Sequence, residues 1–256
     1  MKKPQVWAHR GASGWDVQYA PENTLPAFQK AIEMGADGIE LDVQLTKDGE
    51  IVVIHDETIQ RVSDGEGWVK DYTLAELKKF NFNKTHPEFS FTLIPTLEEV
   101  YQLMKDNQLM INIELKTGII FYKGLEEKIA ALTKQMNMEQ RVLYSSFNHY
   151  SIHKMKKIAP KSKTGILYAD GFMDVPAYGK RMGVDALHPA MHNLQYPHFF
   201  EACKKENLAI HVWTVDNTLD IKKMCELSVD AFITDCPDRA RQIVDEYQGQ
   251  DENVKG

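Results

Sequence analysis

The chain has 256 residues, 43% of them hydrophobic and 26% charged, which excludes disordered and collagen-like classes and suits one large domain. Its formal charge of −7 argues against a non-specific nucleic-acid binder or a protein held to anionic membranes. No run approaches the ~18 apolar residues of a membrane span.

Only Val6 to Ala8 separate the basic N-terminus from His9 and Arg10, too few for an export signal. Cys203, Cys225 and Cys236 show no metal-ligand spacing, so reduced thiols and a cytoplasmic location are expected. Short apolar runs then alternate with amphipathic ones, the pattern of βα units around a parallel sheet. Gln5 to His9 reads as the first strand. Thr24 to Met34 reads as the first helix, closed by Gly35.

Asp37 to Val43 is the second strand, and its alternation puts Glu40 and Asp42 on one face with Ile39, Leu41 and Val43 on the other. The turn Lys47-Asp48-Gly49 leads into another extended run, Ile51 to His55. Residues 57–95 break the rhythm. With Gly65, Gly67, a Thr73/Glu76 capping box and six aromatics, they are too long for a βα loop of about 2 to 6 residues and read as an inserted subdomain.

The rhythm resumes at Thr96, where Glu99 completes a second capping box. Later strands are expected at 110–114, 141–145, 163–167, 185–188, 209–214 and 231–234. Helices are expected near 124–136, 148–158, 174–182, 197–206, 217–227 and 238–247, with a polar tail at 248–256 that should fray. If 37–55 counts as one, there are eight strand-helix units. The expected fold class is α/β: a (β/α)8 TIM barrel over residues 1–256, with a small insertion subdomain after the second strand. No Gly-x-Gly-x-x-Gly or Walker-type pattern follows any strand, which disfavours a nucleotide-binding sheet.

In such barrels the chemistry sits at the C-terminal ends of the strands. His9 and Arg10 fall there, as do Glu40, Asp42, His55, Glu114, Lys116, His188, Trp213 and Asp235. Glu40, Asp42 and Glu114 form an all-oxygen set suited to Mg²⁺ or Ca²⁺ rather than Zn²⁺. With such an ion, Arg10 and Lys116 leave the site one net positive charge, which suits a phosphate. Histidine's unperturbed pKa of about 6.5 suits proton transfer near neutral pH, so His9 and His55 could serve as general base and acid for P–O cleavage. His188 and Trp213 read as packing or pocket wall, and Asp235, two before Pro237, as a helix N-cap. Trp15 and Tyr19 could shape a substrate wall. A barrel lyase that stabilises an enolate and an inactive binding barrel are the rival readings. A homodimer is compatible with the sequence, which does not require one.

These residues carry a resemblance. His9-Arg10-Gly11, Pro21-Glu22-Asn23-Thr24, Glu40-Leu41-Asp42, Val53-Ile54-His55-Asp56, Asn112-Ile113-Glu114-Leu115-Lys116, Val212-Trp213-Thr214 and Thr234-Asp235 are similar, in order, to the glycerophosphodiester phosphodiesterases. The resemblance implies a β/α barrel with an insertion after its second strand, and cleavage of glycerophosphodiesters to glycerol 3-phosphate and an alcohol. It further implies a divalent ion on Glu40, Asp42 and Glu114, His9 and His55 as the acid/base pair, and Arg10 and Lys116 on phosphate oxygens. Attack by the glycerol 2-hydroxyl, giving a cyclic phosphate later opened by water, is one mechanism proposed for that family.

Overall fold

The computed structural model describes the backbone of residues 3–255 and the side chains of residues 3–247. Its strands are β1 (Gln5–Ala8), β2 (Gly38–Leu45), β3 (Ile51–Val53), β4 (Met110–Leu115), β5 (Val142–Ser146), β6 (Lys163–Tyr168), β7 (Ala186–Pro189), β8 (Ala209–Val212) and β9 (Ala231–Thr234). Eight of these run parallel in the order β1-β9-β8-β7-β6-β5-β4-β2, and a β1–β2 pairing closes the ring. The molecule is a (β/α)8 barrel. β3 lies outside the ring, antiparallel to β2, with Val53 opposite Val43.

The helices are α1 (Leu25–Glu33), α2 (Leu74–Leu77), α3 (Leu97–Met104), α4 (Leu125–Gln135), α5 (His149–Ile158), α6 (Val175–Met182), α7 (Phe199–Glu206), α8 (Thr218–Leu227) and α9 (Pro237–Lys255). Both expected capping boxes are formed, at Thr73/Glu76 and Thr96/Glu99. The expected fraying of the tail is not found up to Lys255, where the backbone continues α9; Gly256 lies outside the described residues.

Strand alternation builds two apolar layers. Ile39, Leu41, Val43, Ile111 and Ile113 face outward into the shell they share with Phe28, Tyr101 and Met104. Removing one such side chain should cost about 2 to 5 kcal/mol. The inward set is smaller: Trp7, Leu143, Ala186, Ala231 and Ile233 fill the interior. Room for large interior groups comes from glycine. A Cβ on Gly38 would lie 2.8 Å from the Trp7 ring, and one on Gly165 would lie 2.4 Å from His188 Nε2.

A third cluster joins Ile54, Ile59, Val62, Val69, Leu77, Phe82 and Ile94, so the segment between β3 and α3 packs on a core of its own. His86 Nε2 hydrogen-bonds the Gly14 carbonyl at 2.8 Å, pinning this segment to the β1–α1 loop. Among the described residues no helix is long and apolar enough to cross a membrane.

Candidate active site

Register converts a sequence alternation into a cluster. Asp42 lies opposite Glu114 and Glu40 opposite Asn112 on neighbouring strands, so all four side chains turn into the barrel. Glu40, Asp42 and Glu114 are buried there, and each offers a ligand oxygen within 4.8 Å of the others. Asn23 Nδ2 donates to Asp42 Oδ2 at 2.9 Å, and Arg10 N donates to Glu40 Oε2 at 3.0 Å. Lys116 Nζ donates to Glu114 Oε1 at 2.9 Å and stands 3.8 Å from Asp42 Oδ1.

That Asp42 oxygen is buried without a hydrogen-bond partner. Burial and the neighbouring Asp42 charge push the Glu40 carboxyl up to about 8, and the same two causes raise Glu114. Burial works against Asp42 as well, but Lys116, His55 and Arg10 outweigh it and hold its carboxyl below the usual range. An orphaned oxygen, crowded carboxyls and an all-oxygen donor set fit a hard divalent cation, whose charge would relieve all three.

Each histidine stands on a carboxylate. Nδ1–H of His9 donates to Asp235 and that of His55 to Asp56, both at 2.6 Å, which makes Nε2 the nitrogen of each ring that can take up or release a proton. His55 Nε2 accepts from Lys116 Nζ at 3.2 Å. Burial pulls the His9 imidazole down, but the Asp235 hydrogen bond and the Glu40 charge outweigh it, so its pKa lies above the ordinary value. The turn carrying His9 needs a glycine: Gly11 has φ +81°, and a Cβ there would lie 2.7 Å from the Ala27 carbonyl carbon.

His55 is held by Gln44, next inward residue after Asp42. Gln44 Nε2 faces the carbonyls of Ile54, His55 and Asp56 at 3.2, 3.0 and 2.7 Å, while Tyr122 Oη donates to Gln44 Oε1 at 2.8 Å.

A cavity of about 110 Å³ at this end of the barrel is lined by His9, Arg10, Glu40, His55, Glu114 and Trp213, together with Asn112, Phe147, Leu167, Thr214 and Ile233. Lys116 and Asp42 adjoin it through the contacts above. Of the strand-end residues expected from the sequence, His9, Arg10, Glu40, Asp42, His55, Glu114, Lys116 and Trp213 thus converge on one place. β1 and β8 stop at Ala8 and Val212, before the expected ends, so His9 and Trp213 lie just past their strands. The Phe147 and Trp213 rings meet edge to face at 5.5 Å.

Several expectations change. Asp235 does not cap α9, which starts two residues later at Pro237; its carboxylate instead accepts from His9 Nδ1. Tyr19 is buried with its hydroxyl donating to Asp238 at 2.8 Å, and Trp15 is exposed; both border a wider cleft of about 640 Å³ that contains none of the three carboxylates. His188, by contrast, is the interior packing residue expected, its Nε2 3.0 Å from His211 Nδ1. Asp56, Gln44, Glu22, Asn23 and Phe147 were missed. Glu22, Asn23 and Asp56 lie inside the quoted motifs and Gln44 extends the inward alternation, whereas Phe147 has no local signal.

Known proteins are similar to this chain in sequence and fold. The profile of the glycerophosphoryl diester phosphodiesterase family matches residues 9–239. A glycerophosphodiester phosphodiesterase of Caldanaerobacter subterraneus subsp. tengcongensis is 47% identical over 243 residues, covering 94% of this chain and 98% of its own. An Oleispira antarctica phosphodiesterase, solved in complex with the product sn-glycerol-3-phosphate, is similar with a TM-score of 0.83 and 28% identity over 94% of this chain and 97% of that one. A glycerophosphodiester phosphodiesterase from Agrobacterium tumefaciens gives 0.79 and 28%, over 92% and 97%. The chain belongs to the glycerophosphoryl diester phosphodiesterase family.

Proposed function

We propose that this chain hydrolyses glycerophosphodiesters to glycerol 3-phosphate and an alcohol, with Mg²⁺ or Ca²⁺ held by Glu40, Asp42 and Glu114. The observation that carries the reading is two carboxylate-backed histidines and two cationic side chains converging with the acidic triad on one small cavity. When bound, the ion would offset phosphate charge and ease departure of the alkoxide.

Arg10 and Lys116 bind non-bridging phosphate oxygens, a task suited to permanently charged donors. One histidine takes the proton of the attacking water or glycerol 2-hydroxyl at Nε2 as its oxygen bonds to phosphorus, and the other gives a proton to the alcohol oxygen as its P–O bond breaks. Where the 2-hydroxyl attacks, water then opens the cyclic phosphate to glycerol 3-phosphate. Asp235 and Asp56 keep Nδ1 protonated, so Nε2 is the reactive atom in both rings. Phe147, Leu167 and Trp213 form an apolar wall toward the organic part of the substrate and limit water.

The same reading takes residues 1–256 as one catalytic barrel and residues 57–95 as an insertion within it. Three buried cysteines without a disulfide support a cytoplasmic location. Glycerol 3-phosphate release from glycerophosphocholine tests the function. Wild type should turn over, and His9→Ala and His55→Ala should each lose about 10²- to 10⁴-fold in kcat. Unimpaired turnover in both variants would sink the histidine assignment, and an inactive wild type the function itself.

A further inference from the structure

The segment after β3 makes a tight turn at residues 59–63. Ile59 and Val62 bury their side chains in that segment's own core, and Ser63 Oγ donates to the Ile59 carbonyl at 2.8 Å. Arg61, between them, instead meets two carboxylates beside the catalytic cavity. Its Nε and Nη2 donate to Asp56 Oδ2 and Oδ1 at 2.6 and 3.1 Å. Its Nη1 and Nη2 donate to Glu22 Oε2 and Oε1 at 2.7 and 2.8 Å.

Each carboxylate passes the restraint on. Asp56 Oδ1 accepts from His55 Nδ1 at 2.6 Å, and Glu22 Oε1 accepts from Arg10 Nη1 at 2.9 Å. We propose that Arg61 is a positioning residue: one guanidinium braces the proton-transfer group His55 and the phosphate-binding group Arg10, and the turn at 59–63 serves to hold it. The inference rests on the hydrolase reading above.

A plain surface ion pair would look different. Such pairs are solvated at both ends and contribute little. Here Arg61 is 42% exposed, but Glu22 and Asp56 are only 13% and 27% exposed, and both are already committed to site residues. Two bidentate contacts at a fixed angle require the planar fork of arginine, which a lysine ammonium lacks.

Steady-state hydrolysis of glycerophosphocholine by wild type, Arg61→Ala, Arg61→Gln and Arg61→Lys tests the brace. Arg61→Ala and Arg61→Gln should lower kcat by about 10- to 100-fold through His55 and raise KM through Arg10. Thermal midpoints should stay near wild type. Guanidinium ion below denaturing concentration should restore part of the Arg61→Ala loss, whereas methylammonium should not. Wild-type kcat and KM in the alanine and glutamine variants, or full activity in Arg61→Lys, would overturn the proposal.

The ¹⁵N signals of His55 give a readout that needs no turnover. In the wild type the Nδ1-bound proton should be fixed, and in Arg61→Ala it should broaden by exchange. An unchanged signal overturns the brace whether or not the chain cleaves a diester. A wild type that turns over no glycerophosphodiester defeats only the hydrolase reading.

Discussion

His9 and His55 each donate Nδ1–H to a carboxylate at 2.6 Å, but the two carboxylates are held by different parts of the fold. Asp235 follows β9, whose pairing with β1 helps close the barrel; His9 N donates to the Thr234 carbonyl at 2.8 Å, and Asp235 N to Asp216 Oδ1 at 2.8 Å. His55 and Asp56 lie outside the ring, where Gln44 and Arg61 side chains hold them. One corner is therefore fixed by the sheet, the other by side chains. Damage at either should cost activity, and the stability lost with it should follow pH in opposite directions at the two corners.

The largest expected effect ignores that difference. Asp42→Asn or Glu114→Gln removes an anionic ligand shared by both corners, and kcat should fall by about 10³-fold or more at any added Mg²⁺ or Ca²⁺, read as glycerol 3-phosphate release. Next come Asp235→Asn and Asp56→Asn, each expected to cost about 10- to 100-fold in kcat/KM by freeing the wrong tautomer.

Asp56→Asn should also lose stability above the ordinary carboxylate range, because the His55 hydrogen bond and Arg61 hold the Asp56 carboxyl well below that range. Asp235→Asn should instead lower the unfolding free energy at low pH, by about 1 to 3 kcal/mol in chelator-treated protein. The folded pKa of His9 is raised, so this stabilisation is fully present below the unfolded value of about 6.5 and is lost as pH rises through the folded one. Denaturant melts of both variants across pH measure this. Losses with the same pH dependence in the two variants would erase the distinction between the corners.

Ion binding sharpens the shared part of the site. With its carboxyl pushed up to about 8, Glu40 carries a proton in the ion-free protein below that pH and must release it to bind. Apparent affinity should rise about tenfold per pH unit up to about 8 and then level off. Titration calorimetry in buffers of different ionisation enthalpy would count the proton. The smallest effect should be Gln44→Leu, a several-fold loss of kcat with KM little changed, since His55 keeps its Asp56 partner and Ile54 N its bond to the Asp42 carbonyl.

The readability of these corners from sequence follows the same physics. Period-two alternation aimed Glu40, Asp42 and Glu114 inward, and the repeating βα rhythm called for a closed ring. What alternation cannot carry is a contact between side chains far apart in the chain. Asp235 meets His9 across 226 positions, and a local rule for Asp before a Pro-initiated helix gave the wrong partner. Arg61 reaches Glu22 across 39 positions from a turn with no periodicity. Tyr19 lies in an irregular loop, where nothing local distinguishes a cavity wall from a residue buried against α9. Strand ends were overestimated at His9 and His55, which follow β1 and β3 rather than ending them.

The most direct test of a carboxylate-bound ion is to strip the protein with chelator, dialyse it, and titrate Mg²⁺ or Ca²⁺ while following glycerol 3-phosphate release from glycerophosphocholine. Turnover should vanish in the stripped protein and return saturably with added ion in the wild type, but not in Glu114→Gln. Full turnover in excess chelator would contradict the metal site on Glu40, Asp42 and Glu114.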